Sequence, residues 1–99
     1  MDIFRTINDL RSALGAWRLQ GADIGFVPTM GFLHEGHLSL VRRAQSEAPR
    51  TVVSIFVNPT QFGQSADLEA YPRDEARDLA LLEAAGVDAV FLPEVGEIY

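Results

Sequence analysis

The run Thr51-Val52-Val53-Ser54-Ile55-Phe56-Val57 limits what this chain can become more than any other feature. It is β-branched and almost wholly apolar, with no alternation between polar and apolar positions. A strand with one wet face alternates, whereas a run like this suits a central parallel strand covered on both faces. Parallel neighbours cannot be joined by tight turns, so crossover helices must flank it. The pattern on either side supplies them.

Ile3 and Phe4 suggest a short strand. Thr6 is placed to cap a helix, with Asp9 three residues on as a weak capping box. Ile7, Leu10, Leu14 and Trp17 then recur at helical spacing, and Gly21 marks a stop. Trp17 reads as core. Ile24 to Val27 is a short apolar strand closed by Pro28. The next helix carries Leu40, Val41, Ala44 and Ala48 on one face and ends before Pro49. Asn58 to Arg73 reads as a long irregular connection holding Pro59, Gly63 and Pro72. Asp74 is placed to cap a helix bearing Ala76, Leu79, Ala80 and Leu82, with Gly86 as its C′ residue. Val87 to Leu92 is a last strand, ended by Pro93.

The order is β-α-β-α-β after an N-terminal helix. Right-handed crossovers make this α/β: a three-layer, Rossmann-like parallel sheet of three strands, the mononucleotide-binding half of a doubly wound fold. Ligands in such folds bind where strand order reverses. If the Ile24–Val27 strand lies there, its outer edge is bare and apolar, to be covered by another chain or by further sequence.

Composition narrows the function. Ninety-nine residues make one small domain, and 47% hydrophobic with 22% charged residues argues for a folded chain. There is no cysteine, which excludes disulfides, thiol nucleophiles and Cys-ligated metals. All the basic residues are arginine, so neither a Schiff base nor a phosphate-gripping lysine can come from these residues. The net charge of −6 is concentrated in residues 67–99, whose acids read as a solvated helix face. No basic face exists for nucleic acid. No stretch has the apolar length of a membrane span, and the N-terminus lacks a signal-peptide pattern, so the expected setting is cytoplasmic.

The chemistry gathers at Pro28-Thr-Met-Gly-Phe-Leu-His-Glu-Gly-His37, which runs from a strand into a helix. His34 and His37 fall in the first helical turn, where unpaired backbone N–H groups and the positive end of the macrodipole offer donors to a phosphate chain. Gly31 and Gly36 stand as in a Walker A loop, but His37-Leu38 replaces the required Lys-[Ser/Thr]. The His34-Glu35-Gly36-His37 spacing is one residue too short for the HExxH zinc helix, and no third ligand is apparent. A second constellation, Asn58-Pro59-Thr60-Gln61-Phe62, follows the strongest strand. Parallel strands end on one shared rim, so Asn58 and Gln61 should approach His34 and His37. Their amides suit a small ligand with hydroxyls and a carboxylate. Tyr71 and Arg73 could wall a pocket and pair an anion, though a helix-entry turn explains both.

Taken together, Val27-Pro-Thr-Met-Gly31, His34-Glu-Gly-His-Leu-Ser-Leu40, Val53-Ser-Ile-Phe-Val-Asn-Pro-Thr-Gln-Phe-Gly63 and Tyr71-Pro-Arg73 resemble the pantothenate synthetase (pantoate–β-alanine ligase) family. That family sits within the nucleotidyltransferase superfamily. The HxGH motif is shared across the superfamily, and its combination with the Ser54–Phe62 stretch is specific. The resemblance implies a ligase of coenzyme A biosynthesis working in two steps on small-molecule substrates. Pantoate attacks the α-phosphorus of Mg2+-ATP to give pantoyl adenylate, and β-alanine then displaces AMP. It further implies that Met30, Gly31, Phe32, Leu33, His34, Glu35, Gly36 and His37 contact ATP, with His34 against the phosphates and His37 as the proton donor. Gln61 would hold pantoate, with Asn58 and Phe62 lining the pocket and Tyr71 a further candidate.

Family members are longer. They continue into a second half of the nucleotide-binding fold and a lid domain, which supply a lysine and a KMSKS-like loop. The expectation is therefore an N-terminal half-domain over residues 1–99 with little turnover alone, a homodimer as the assembly, and magnesium ligands outside this chain. An ATP-binding module without ligase activity is the alternative. The helix dipole inclines His37 toward neutrality while a triphosphate would favour its charged form.

Overall fold

Among the described residues the sheet has four strands, not three, with the central run hydrogen-bonded on both sides. A computed structural model of the chain describes residues 1–56 and 74–94. The strands are β1 (Asp2–Phe4), β2 (Ile24–Thr29), β3 (Arg50–Ile55) and β4 (Ala89–Phe91). They are crossed by α1 (Ile7–Leu19), α2 (Glu35–Glu47) and α3 (Glu75–Ala84). All pairings are parallel, in the spatial order β1-β4-β3-β2. The fourth strand is the Ile3–Phe4 segment. It pairs with β4 because β4 would otherwise present an open edge, and Leu92 N–H reaches Phe4 O at 2.8 Å. The Rossmann-like α/β class read from the sequence stands; the sheet is one strand wider.

Register divides the sheet into two unequal faces. Val27, Val53 and Val90 are lateral partners on one face. There they form the dry core with Val41 of α2 and Leu82 of α3, joined by Leu33 and Val87. On the other face lie Phe26, Val52 and Ala89. That face is covered by α1, which buries no residue fully. Trp17 is half-buried rather than core, with the Arg50 guanidinium 5.2 Å from its ring centroid.

β2 is an edge strand, and Phe26 on it is 56% exposed. Its position also explains why Pro28 lies within the strand instead of closing it. Thr29 O accepts from Phe56 N–H at 3.0 Å, so Thr29 faces β3 and the neighbouring Pro28 nitrogen faces outward, where no ladder bond is lost.

The helix boundaries follow local chemistry. Thr6 Oγ1 accepts from Asp9 N–H at 3.2 Å, and Asp74 Oδ1 accepts from Arg77 N–H at 3.0 Å. α1 and α3 end in Schellman motifs: Ala22 N–H bonds Trp17 O and Val87 N–H bonds Leu82 O, with Gly21 and Gly86 at positive φ. α2 ends at the extended Ala48, before Pro49.

One expectation about the acidic segment fails. Asp78 is 2% exposed and belongs to the buried set, so the acids of α3 are not all solvated. Asp88 is also occupied, accepting from Thr51 N–H at 2.7 Å and from Arg50 at 3.3 Å at the base of the sheet. Each carboxylate accepts from backbone N–H groups, Asp78 in the turn after β2 and Asp88 at the start of β3.

Candidate active site

The rim where β2 and β3 end is built from a threonine upward. Thr29 Oγ1 donates to Ser54 O at 2.9 Å and accepts from Gly31 N–H at 3.2 Å. One hydroxyl thus ties the end of β2 to β3 and starts the turn that follows. The turn is left-handed over two residues, with φ of +87° at Gly31 and +52° at Phe32. Only glycine takes the first angle freely. A Cβ there would also lie 3.2 Å from Ile55 Cγ2. Phe32 bears a strain of roughly 1 kcal/mol in this conformation. The surroundings hold it: Phe32 N–H donates to Asp78 Oδ2 at 2.9 Å and Leu33 N–H to Asp78 Oδ1 at 2.8 Å. Leu33 is 1% exposed and plugs the core beneath.

His34 is the N-cap of α2 rather than a residue within its first turn. Its Nδ1 accepts from Gly36 N–H at 3.0 Å, and His37 Nδ1 accepts from His34 N–H at 3.2 Å. Imidazoles thereby perform the reciprocal capping usually done by short oxygen side chains. A Cβ on Gly36 would stand 2.8 Å from His34 Cε1, so the ring can cap only over a glycine. The rings lie with centroids 4.2 Å apart, tilted by 41°. A nitrogen that accepts carries no proton, so both rings bear theirs on Nε2. His34 and His37, with Pro28, Thr29, Met30, Gly31 and Phe32, line a cleft of about 460 Å³.

This arrangement changes where donors come from. The N–H groups of Gly31, Phe32, Leu33, His34 and Gly36 all bond to protein side chains. The backbone donors expected to await a phosphate are therefore largely occupied: Asp78 takes two of them, and Thr29, His37 and His34 take one each. With both Nδ1 atoms engaged, Nε2–H is the donor left to each of the two histidines that line the cleft. His37 is held below the usual histidine range by partial burial first and by His34 second, with Asp78 opposing both.

Of the residues singled out in the sequence, the structure brings Met30, Gly31, Phe32, His34 and His37 together on the cleft. Leu33 turns into the core beneath it. Glu35 is exposed and ion-paired with Arg42, on the helix rather than in the cleft. Asn58, Gln61, Phe62, Tyr71 and Arg73 lie outside the described residues. Thr29 and Asp78 were missed as site-building residues. Asp78 had no local signal, since its partners lie 45 and 46 residues away.

The family model for pantoate–β-alanine ligase matches residues 2–99. The chain belongs to the pantoate–β-alanine ligase family. It is 61% identical over its whole length to the pantothenate synthetase of Agrobacterium fabrum and 54% identical to that of Enterococcus faecalis. It spans about a third of the length of these relatives, 34% and 35% respectively. Among solved structures, the family enzyme of Francisella tularensis, complexed with beta-gamma ATP and beta-alanine, superimposes with a TM-score of 0.92 at 42% identity. That match covers all of this chain and 38% of the other. Pantothenate synthetase from Thermus thermophilus gives a TM-score of 0.89 at 52% identity, over all of this chain and 34% of the other. The nucleotidyltransferase-type α/β architecture is common to this set.

Proposed function

We propose that this chain contributes to ATP-dependent condensation of pantoate with β-alanine, through a pantoyl adenylate. The carboxylate oxygen of pantoate bonds to the α-phosphorus of ATP as pyrophosphate leaves. The β-alanine amine then bonds to the acyl carbon as AMP leaves, the amine losing a proton. One observation carries the reading. The mutual cap consumes both Nδ1 atoms of His34 and His37 and leaves two Nε2–H donors on the cleft. Adenylyl transfer needs charge on phosphate oxygens met by pre-positioned donors more than it needs covalent help, and paired neutral donors supply that. His37, held toward its neutral form, is suited to donate a hydrogen bond to a phosphate oxygen. A bound triphosphate would raise its proton affinity as charge develops.

Magnesium would accompany the nucleotide. Among the described residues no carboxylate lines the cleft to ligate it: Glu35, on the helix, is paired with Arg42, and Asp78, beneath the turn, serves backbone N–H groups. Its ligands would be the phosphates themselves. Asn58, Gln61, Phe62 and Tyr71 are proposed to hold pantoate on the same rim.

On this reading residues 1–99 are the N-terminal half of a nucleotide-binding domain in a cytoplasmic homodimer. The outer edge of β2 carries exposed Phe26, which supports a neighbour on that side. Calorimetry with ATP, pantoate and β-alanine tests the assignment. Binding of ATP and pantoate, with pantoate binding lost in Gln61→Ala, is the expected result. ATP binding without pantoate would favour a nucleotide-binding module, and no binding of either would end the reading.

A further inference from the structure

Asp78 is the only charged side chain among the described residues that is fully buried, and it does not itself line the cleft. Its oxygens accept from two consecutive backbone N–H groups, Phe32 at 2.9 Å and Leu33 at 2.8 Å, while Arg77 Nη1 stands 3.4 Å from Oδ1. These N–H groups belong to the left-handed turn that leads into the His34 cap. The turn passes directly over the carboxylate, a Cβ at Gly31 standing 3.4 Å from Oδ2. A helix whose first turn lies far from β2 in sequence thus grips the one strained segment of the cleft.

We propose that Asp78 is a positioning residue for the histidine pair: it clamps the Phe32–Leu33 peptides so that His34 caps α2 and His37 stands on the cleft. This deepens the nucleotide reading and rests on it. The geometry has a specific consequence beyond holding two elements together. The groups that act on the charge of His37 are His34, from the cap, and Asp78, from α3. The carboxylate favours the protonated ring while His34 disfavours it. Removing the carboxylate charge while the cap stands therefore moves His37 further toward neutrality, whereas lost packing that exposed the ring would move it the other way, burial being the largest cause of its lowered range.

The test compares Asp78→Asn with Leu82→Ala, which loosens the same helix through a buried apolar contact. Histidine 15N labelling follows the His37 titration, hydrogen exchange follows the Phe32 and Leu33 amides, and calorimetry follows ATP. In Asp78→Asn the His37 midpoint should fall below that of the parent. The two amides should exchange at least about tenfold faster, and ATP binding should weaken about tenfold, since an amide offers one acceptor where two are needed. Leu82→Ala should not lower the His37 midpoint, since it removes packing and no charge. An unchanged midpoint and unchanged exchange in Asp78→Asn would overturn the proposal, as would an equal midpoint shift in Leu82→Ala. Should Asp78→Asn not fold, the parent protein decides: Phe32 and Leu33 amides exchanging as slowly as those of β3 support the clamp, and fast exchange refutes it. A parent that folds but does not bind ATP sinks the nucleotide reading, while exchange and titration still judge the clamp.

Discussion

The helices α1 and α2 both start just after a parallel strand, yet their first turns are built on different principles. At α1 a single threonine hydroxyl caps the helix, the cap is exposed, and the preceding residues need no unusual geometry. At α2 the same task takes two histidines, a glycine with no room for a Cβ, two residues at positive φ and a buried carboxylate from another helix. The first start shows that folding alone asks only for a short oxygen side chain. The apparatus at the second exceeds what capping requires, and the surplus is local strain held in place by tertiary contacts. Such strain gathers where a protein positions side chains for a ligand.

Breaking the second start should have the largest effect. Gly31→Ala forces a side chain into a left-handed conformation and against Ile55 Cγ2. Urea unfolding should show a loss of about 1–3 kcal/mol. A loss below a few tenths would mean that the turn is not held as described.

The two caps can then be set against each other. Thr6→Ala should reduce stability by roughly 1 kcal/mol and leave ATP binding alone. His34→Asn, which installs an ordinary cap, should hold stability constant or raise it by a few tenths of a kcal/mol. It should nonetheless weaken ATP binding. Equal effects of the two substitutions on ATP binding would erase the contrast between the helix starts.

The smallest effect is one of pH. A histidine whose proton affinity is lower in the folded state binds fewer protons there than in the unfolded chain. Stability from His37 is therefore complete above its ordinary midpoint of 6.5 and falls as pH drops from there through the lower folded midpoint. His37→Asn keeps an acceptor for the His34 N–H and should flatten that part of the pH–stability curve. A curve of unaltered slope would show that His37 is not its source.

Much of this was legible beforehand for identifiable reasons. The apolar run at β3, the Gly21 and Gly86 stops, and the Thr6 and Asp74 caps are local facts, dictated by side chains within a few residues of the bonds they control. The cleft residues Met30, Gly31, Phe32, His34 and His37 were recoverable from one contiguous motif. Less legible was the direction of the donors. The motif suggested free backbone N–H groups, and nothing near it in sequence reveals that Asp78 already occupies two of them. The short strand at Ile3 and Phe4 was read from the sequence, but its place in the sheet was not, for a similar reason. Two apolar residues do not say which neighbour they will pair with, and the open flank of β4 settled that.

Local sequence by itself determined the order of strands and helices, their ends, and the presence of two imidazoles at a glycine-rich junction. Only the tertiary structure decided the width of the sheet, the burial of Asp78 and the atoms left to face a ligand. The reason is the range of the forces involved. Capping, propensity and hydrophobic period act within one or two turns of chain. The partners of an edge strand or a buried carboxylate are chosen by which unsatisfied groups the folded layers bring together.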